Sequence, residues 1–414
     1  MRVRDYFPPS AWPPLTDGLT FYAPLTRDHG TVPIYSAGGS TGLSTETVDG
    51  DGTYIDAYSG YIVGASANTG RVGENGLVSE VASINNFVQD DLFSDAAWST
   101  TRGAITSGQD TGPDNTTSGW LLTRTDTTNR HLIQSFDADG GALALTAIVK
   151  KDTTDTVILT GNDTAIQRTF TFSTEEFSGA TGTATTSFKT RANGYYEISM
   201  MYTGHADAKT HGVITPDTAG AKVLVYAQRL EKKTAPTSHI PTGAAAVTRS
   251  ADGLRYAGGA NVSFTAGTAI WVTTIDAVVA QTRVCWEIGA GATDRLTMLI
   301  DTNSKPNFSI VDGTVGQASL TATSALSAGT PAVIAVAWAT NDVRMYVNGG
   351  DEKTDPDTAT MPSGTITIDM GYLARAAGLN LNGANEHFMI FDRALSAAEI
   401  LQVTQWIQGR VGLL

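Results

Sequence analysis

Residues able to do covalent chemistry are present, but their spacing does not assemble a reaction centre. Hydrolysis of a glycosidic bond needs two carboxylates about 5 to 9.5 Å apart, which on one strand appear as acids two or four residues apart. The strand-like runs offer no such pair. Glu287 and Glu386 each stand alone, and Glu175 and Glu176 fall in a turn-like segment that points them apart. A lyase would need a Tyr or His base beside a neutralising group; Tyr196, His205 and His211 are available, and nothing in the sequence fixes their geometry. The six histidines (29, 131, 205, 211, 239 and 387) are scattered, and His205 and His211 read as sharing one solvated loop. G-x-S-x-G, P-loop and H-E-x-x-H patterns are absent. Cys285, between Val284 and Trp286 on an apolar run, reads as a buried inert thiol. The expectation is therefore no catalytic residue, no cofactor and no metal. Calcium is the one ion that Asp-rich loops such as 49–52 and 137–140 would suit, yet Asp-Gly is first of all a turn signal.

Recognition chemistry is better represented. A pyranose stacks its C–H face on an aromatic ring and offers its hydroxyls to planar polar groups. The rings available in the middle of the chain are Trp98, Trp120, Tyr195 and Tyr202; Trp98 and Tyr196 read as packing residues. Tyr195 faces opposite to Tyr196 and is the ring expected to reach the surface. Asn348, Asn380 and Asn382 fall in loops near the C-terminus and are turn formers first. The carbohydrate-binding candidates are Trp120, Tyr195, Tyr202, Asn348 and Asn382.

These residues must be carried by strands. Short apolar runs joined by Gly-, Asn-, Asp- and Thr-rich turns recur along 414 residues with 43 glycines, which predicts an all-β chain of two or three domains. Asn348-Gly349 supplies the left-handed residues of a tight hairpin. Ser396 and Glu399 form a capping box that predicts a short C-terminal helix over 396–408, stopped by Gly409. One cysteine precludes an internal disulfide, and no run of about 18 apolar residues is present to span a membrane. The net charge of −14 opposes binding to nucleic acid. The first residues lack the apolar core of a signal peptide, so the expected product is made in the cytoplasm.

Four segments follow. Residues 1–17 form an extended arm, with Pro8, Pro9, Pro13 and Pro14 among aromatic residues. Arg2, Arg4, Tyr6, Phe7 and Trp12 are its anchoring candidates, because large apolar side chains gain little on a free tail. Residues 18–83 are β-rich, 84–242 form a central module, and 243–414 a C-terminal sandwich. The strand around Phe21 belongs either to a segment of its own or to the C-terminal sandwich, with the central module inserted; both arrangements stay open.

The central module carries GLVSEVASIN at 76–85, Phe93 and Trp98, NGYYEIS at 193–199, VYAQRLE at 225–231, TSHIPT at 237–242 and VTRSAD at 247–252. In this order the motifs resemble a jelly-roll module of phage tail and virion proteins, related to carbohydrate-binding modules. Tyr195 stands where Trp is usual and His239 where Tyr is commoner. The C-terminal segment, with Trp338, NDVRMYVNG at 341–349 and FMIFDRALSAAEI at 388–400, resembles laminin-G, pentraxin and concanavalin A-like sandwiches. The resemblance implies a non-enzymatic virion structural protein of a tailed phage, a head decoration or fibre or a tail-associated protein, that binds host surface polysaccharide weakly and many times over. Other virion proteins would be met through the arm, and a homo-oligomer is expected. The alternatives are a polysaccharide depolymerase and a capsid cement with no ligand.

Overall fold

The computed structural model describes residues 82–410, with interruptions at 101–102, 126–129, 216–217, 250–251, 258–261, 277, 279, 290, 292, 358–359, 365, 372–378, 380 and 382. Before them it describes residue 17 and the strand backbones 19–24, 35–36, 46–48, 52–55, 62–65, 72–73 and 76–79. The N-terminal anchoring candidates Arg2, Arg4, Tyr6, Phe7 and Trp12 lie outside the described residues, as do Asn380 and Asn382. The chain divides into two compact units. One comprises Met1–Asp49, Ala67–Val81 and Ala251–Leu414; the other comprises Gly50–Ser66 and Ala82–Ser250.

In the first unit the described strands form a nine-stranded and a seven-stranded antiparallel sheet. Gly383–Phe391 is the hub of the larger sheet and pairs with Ala266–Ile275, Gly76–Ser79 and the early strand Leu19–Pro24. All nine residues of the hub strand are buried. The reason is that both its faces are covered. On one side Phe388 and Ile390 join Trp271, Trp286, Trp338, Met298 and Phe308 in the core between the sheets. On the other, Met389 and Phe391 pack with Leu395, Ile400, Val403 and Ile407 of the C-terminal helix segment. The helix Ala397–Arg410 starts at the expected cap and runs one residue past Gly409. Glu399 Oε2 accepts from Ser396 N at 2.8 Å, and Arg393 holds the same carboxylate at 2.8 and 3.1 Å. Asn348 (φ 53°) and Gly349 (φ 76°) turn the hairpin between Asp342–Val347 and Gly350–Asp355.

The second unit is a jelly-roll-type sandwich of a six-stranded and a five-stranded sheet. Leu143, Leu145, Ala147 and Val149 of one sheet meet Leu132, Val157, Leu159, Phe170 and Val213 of the other. Trp98 closes one end of this core. Its ring lies edge-on to Phe87 and Phe93, and its Nε1 donates to Gln89 O at 2.7 Å. The sequence motifs of this unit turn out to be clamps. Glu231 accepts from Ser83 Oγ at 2.5 Å and Thr237 Oγ1 at 2.6 Å, while Asp90 takes Thr242 N at 2.9 Å and lies 2.5 Å from His239 Nε2. These bonds tie the first residues of the unit to its last, and the pairing of Val247–Arg249 with Ser83–Asn85 completes the closure.

Candidate ligand-binding surfaces

The rings expected to bind ligand are placed differently from one another. Tyr195 does not reach the surface: it is fully buried. Asn193 (φ 58°) and Gly194 (φ 75°) turn the chain and lay the ring on the far face of the six-stranded sheet. That face is covered, and Tyr195 packs there with Ile148, Leu224, Tyr226 and Ala227. A Cβ on Gly119 would lie 2.4 Å from the Tyr195 hydroxyl, so glycine at 119 is what leaves room for the phenol. Trp120 is half-buried, its ring 5.9 Å from Phe93 and set edge-on at the margin of the core. Asn348 is exposed, but its Oδ1 accepts from Val333 N at 2.8 Å, which commits the amide to the turn.

Tyr202 lines an open concavity. A cleft of about 410 Å³ is lined by Leu143, Ile166, Met201 and Tyr202 together with the hydroxyl-bearing Thr183, Thr185, Thr203 and Thr234. Its wall is built rather than loose. Arg168 Nη1 donates to Gln167 O (2.7 Å) and Thr181 O (3.0 Å), and Nη2 donates to Gly182 O (3.0 Å) and Ala184 O (3.1 Å). Gly182 has φ 68°, and a Cβ there would meet Ile166 Cγ1 at 2.8 Å and Ala165 O at 2.9 Å. Asn162 holds a further edge by donating from Nδ2 to Thr203 O at 3.1 Å. Below Tyr202 its hydroxyl lies 2.5 Å from Nδ1 of His211. Contrary to the expectation of a solvated loop, His211 belongs to the strand Lys209–Thr215 and is completely buried. Burial pushes the Tyr202 phenol well above its ordinary range and the His211 imidazole down to about 4, so both groups are neutral near pH 7. His205 is the solvated one, beside Asp207.

The first unit carries a polar row that linear spacing conceals. On the seven-stranded sheet Asp369 pairs in register with Glu287, Glu287 with Thr297, Thr297 with Ser309, and Ser309 with Ser319. Their neighbours Ile368, Met370, Ile288, Leu296, Met298, Phe308 and Ile310 fill the core, so the row occupies the opposite face. Glu287 is therefore not alone. Directly opposed residues on antiparallel strands have Cβ atoms about 5 Å apart, a separation compatible with a carboxylate pair. Thr297 Oγ1 donates to Glu287 Oε2 at 2.8 Å, and Arg295 Nε lies 3.8 Å from the same oxygen. Glu287 and Asp369 are 5% and 4% exposed, which leaves little carboxylate surface for a substrate. The only sequence signal for the pair was a lone acid between core-facing residues on each of two distant strands. Glu386 is also buried, with Thr274 Oγ1 donating at 3.3 Å, and burial pushes its carboxyl up to about 7. Among the described residues no group of three or more His, Cys, Asp or Glu side chains is arranged to hold a metal ion.

Two packed antiparallel sheets with a capping C-terminal helix form a β-sandwich. Residues 249–401 match a laminin-G family of the concanavalin A-like lectin/glucanases superfamily, so the first unit contains a concanavalin A-like domain. Among solved structures, the heptameric SAP-like pentraxin from Limulus polyphemus is 12% identical, with 34% of this chain and 70% of that chain covered and a TM-score of 0.28. The CBM40 module of the Ruminococcus gnavus IT-sialidase bound to alpha2,3 sialyllactose is 15% identical, with coverage of 34% and 84% and a TM-score of 0.31. The receptor-binding domain of botulinum neurotoxin type G is 13% identical, with coverage of 38% and 42% and a TM-score of 0.29. No curated protein matches the chain.

Proposed function

We propose that this protein is a non-enzymatic structural component of a tailed-phage or phage-like virion, a head decoration or fibre or a tail-associated protein, whose lectin-like sandwiches bind host surface glycans weakly and multivalently. The cleft beside Tyr202 carries the binding half of this reading. It is concave, walled by a clamped loop, and mixes apolar surface with four threonine hydroxyls. The concanavalin A-like domain supports it from the first unit. The virion half rests on the ordered motifs between residues 76 and 252, which resemble those of phage tail and virion modules. The proposal places the protein on the particle, attached to other virion proteins through the arm and as a homo-oligomer, with no metal, cofactor or nucleic acid involved. Repetition on the particle makes millimolar contacts useful, because linked sites raise avidity without new contacts.

The experiment is immunogold electron microscopy of purified particles with antibody to residues 252–410. Gold at a fixed position on heads or tails is the expected outcome; intact particles that never label would overturn the virion assignment.

A second reading, a polysaccharide depolymerase, is favoured by the Glu287–Asp369 register. Its test is the release of new reducing ends from host polysaccharide, and their loss in Glu287→Gln and Asp369→Asn. Unchanged chain length with the native protein removes it.

A further inference from the structure

The cleft of the second unit says which glycans it can hold. None of its described lining residues carries a formal charge. The two titratable rings at its base, Tyr202 and His211, bond to each other. Arg168, the guanidinium built into its wall, has both terminal nitrogens committed to the four backbone carbonyls that shape the loop. It therefore cannot turn to a ligand carboxylate without unmaking the wall. A carboxylate taken from water into such a site would be left without a charged partner, which costs several times more than burying a hydroxyl that finds a hydrogen bond. The chain as a whole carries a net charge of −14, which repels polyanions before contact. Met201, in contrast, offers a polarisable apolar surface suited to the C–H face of a sugar, and Thr183, Thr185, Thr203 and Thr234 offer hydroxyls that both donate and accept.

We infer that this cleft selects uncharged oligosaccharides and rejects glycans bearing carboxylates, such as sialylated or uronate-containing chains. The inference rests on the glycan-binding reading and adds the ligand class. It also separates the two units. The polar row of the first unit, with Glu287 and Asp369, is a different surface; Met298 and Met370, which alternate with the row on the same strands and face the core, report perturbation of that sheet.

The test is methyl NMR of the full-length protein labelled at its methionine methyl groups. It is titrated with neutral and with acidic oligosaccharides released from the outer polysaccharides of bacteria that the particle adsorbs to, and with maltohexaose and sialyllactose as defined probes. Neutral oligosaccharides are expected to move the Met201 methyl signal saturably and acidic ones at least tenfold more weakly. Thr185→Arg, at an exposed edge-strand position, is expected to weaken neutral binding about tenfold and to admit the acidic chains, with the thermal midpoint unchanged. Acidic oligosaccharides that move Met201 as strongly as neutral ones overturn the inference. So do neutral ones that move only Met298 or Met370, although glycan binding itself then survives in the first unit. If no oligosaccharide of either class moves any methyl group, the inference falls together with the glycan-binding reading.

Discussion

Arg229 reaches over an entire strand to Glu197: its Nη2 donates to Glu197 Oε1 at 2.7 Å, although Ala142–Lys151 runs between their two strands. Arg191 grips the other oxygen of Glu197 at 2.6 Å, and Arg229 Nε donates to Glu231 at 3.2 Å. The cluster is buried and continues through Glu231 to Ser83 and Thr237, so a charge network closes the second unit. Removing one member strands the others without water. Glu197→Ala is expected to cost about 3–5 kcal/mol, read as a lowered urea midpoint. A cost below about 1 kcal/mol would mean that the network is dispensable.

The same carboxylate sets an acid limit. Burial alone would raise the Glu197 pKa, but Arg191 and Arg229 outweigh it and hold the group below the usual carboxylate range. A depressed folded-state pKa gives stability that is present above the unfolded value near 4.5 and is lost as pH falls below it. Unfolding midpoints of the native protein should therefore decline from about pH 4.5 downward, and Glu197→Gln should show a shallower decline.

Glu386 has the opposite sign. Its carboxyl is pushed from 4.5 up to about 7 by burial, so the folded state retains a proton that the unfolded chain releases. Stability from this group is full below about pH 4.5 and falls as pH rises toward 7, by up to about 3 kcal/mol. Glu386→Gln keeps the shape without the charge. It should leave the unfolding midpoint unchanged near pH 4 and raise it at pH 8; equal midpoints for variant and native protein at pH 8 would contradict the assignment.

How far the sequence carried depends on distance along the chain. The Asn348-Gly349 hairpin and the Ser396–Glu399 cap were legible because each is a local device, and both form as read. The laminin-G-like character of the C-terminal segment was legible for the same reason, through turn and cap residues at fixed offsets. Tyr195 was misread through parity. Alternation correctly put it opposite Tyr196, but opposite meant a second covered face, where it packs with Ile148, Leu224, Tyr226 and Ala227 and lies close to Gly119. The cleft was invisible, since Arg168, Gly182 and Met201 come together only through strand pairing. Glu287 looked solitary because register, not spacing, supplies Asp369.

Gly161 tests the base of the cleft. A Cβ there would lie 2.6 Å from the Tyr202 ring, so the ring would have to shift. Gly161→Ala is expected to lower stability by about 1–3 kcal/mol and to weaken ligand binding through the displaced ring. An unchanged thermal midpoint would show that Tyr202 can shift freely.

Arg168 tests the wall. Arg168→Met removes four donated bonds from residues 167–184 while keeping the aliphatic stem. Amide exchange at 181–184 should accelerate at least tenfold with the rest of the sheet protected, and oligosaccharide affinity should fall with it. Unaltered exchange would mean that the loop is set by Gly182 alone.

The most direct test of the account is equilibrium binding of the full-length protein to immobilised host surface polysaccharide, with the chain length of the eluted polysaccharide determined afterwards. The account predicts weak, saturable binding that strengthens steeply with ligand density and leaves the polysaccharide intact. No binding at millimolar sugar concentration, or polysaccharide shortened by contact with the protein, would contradict it.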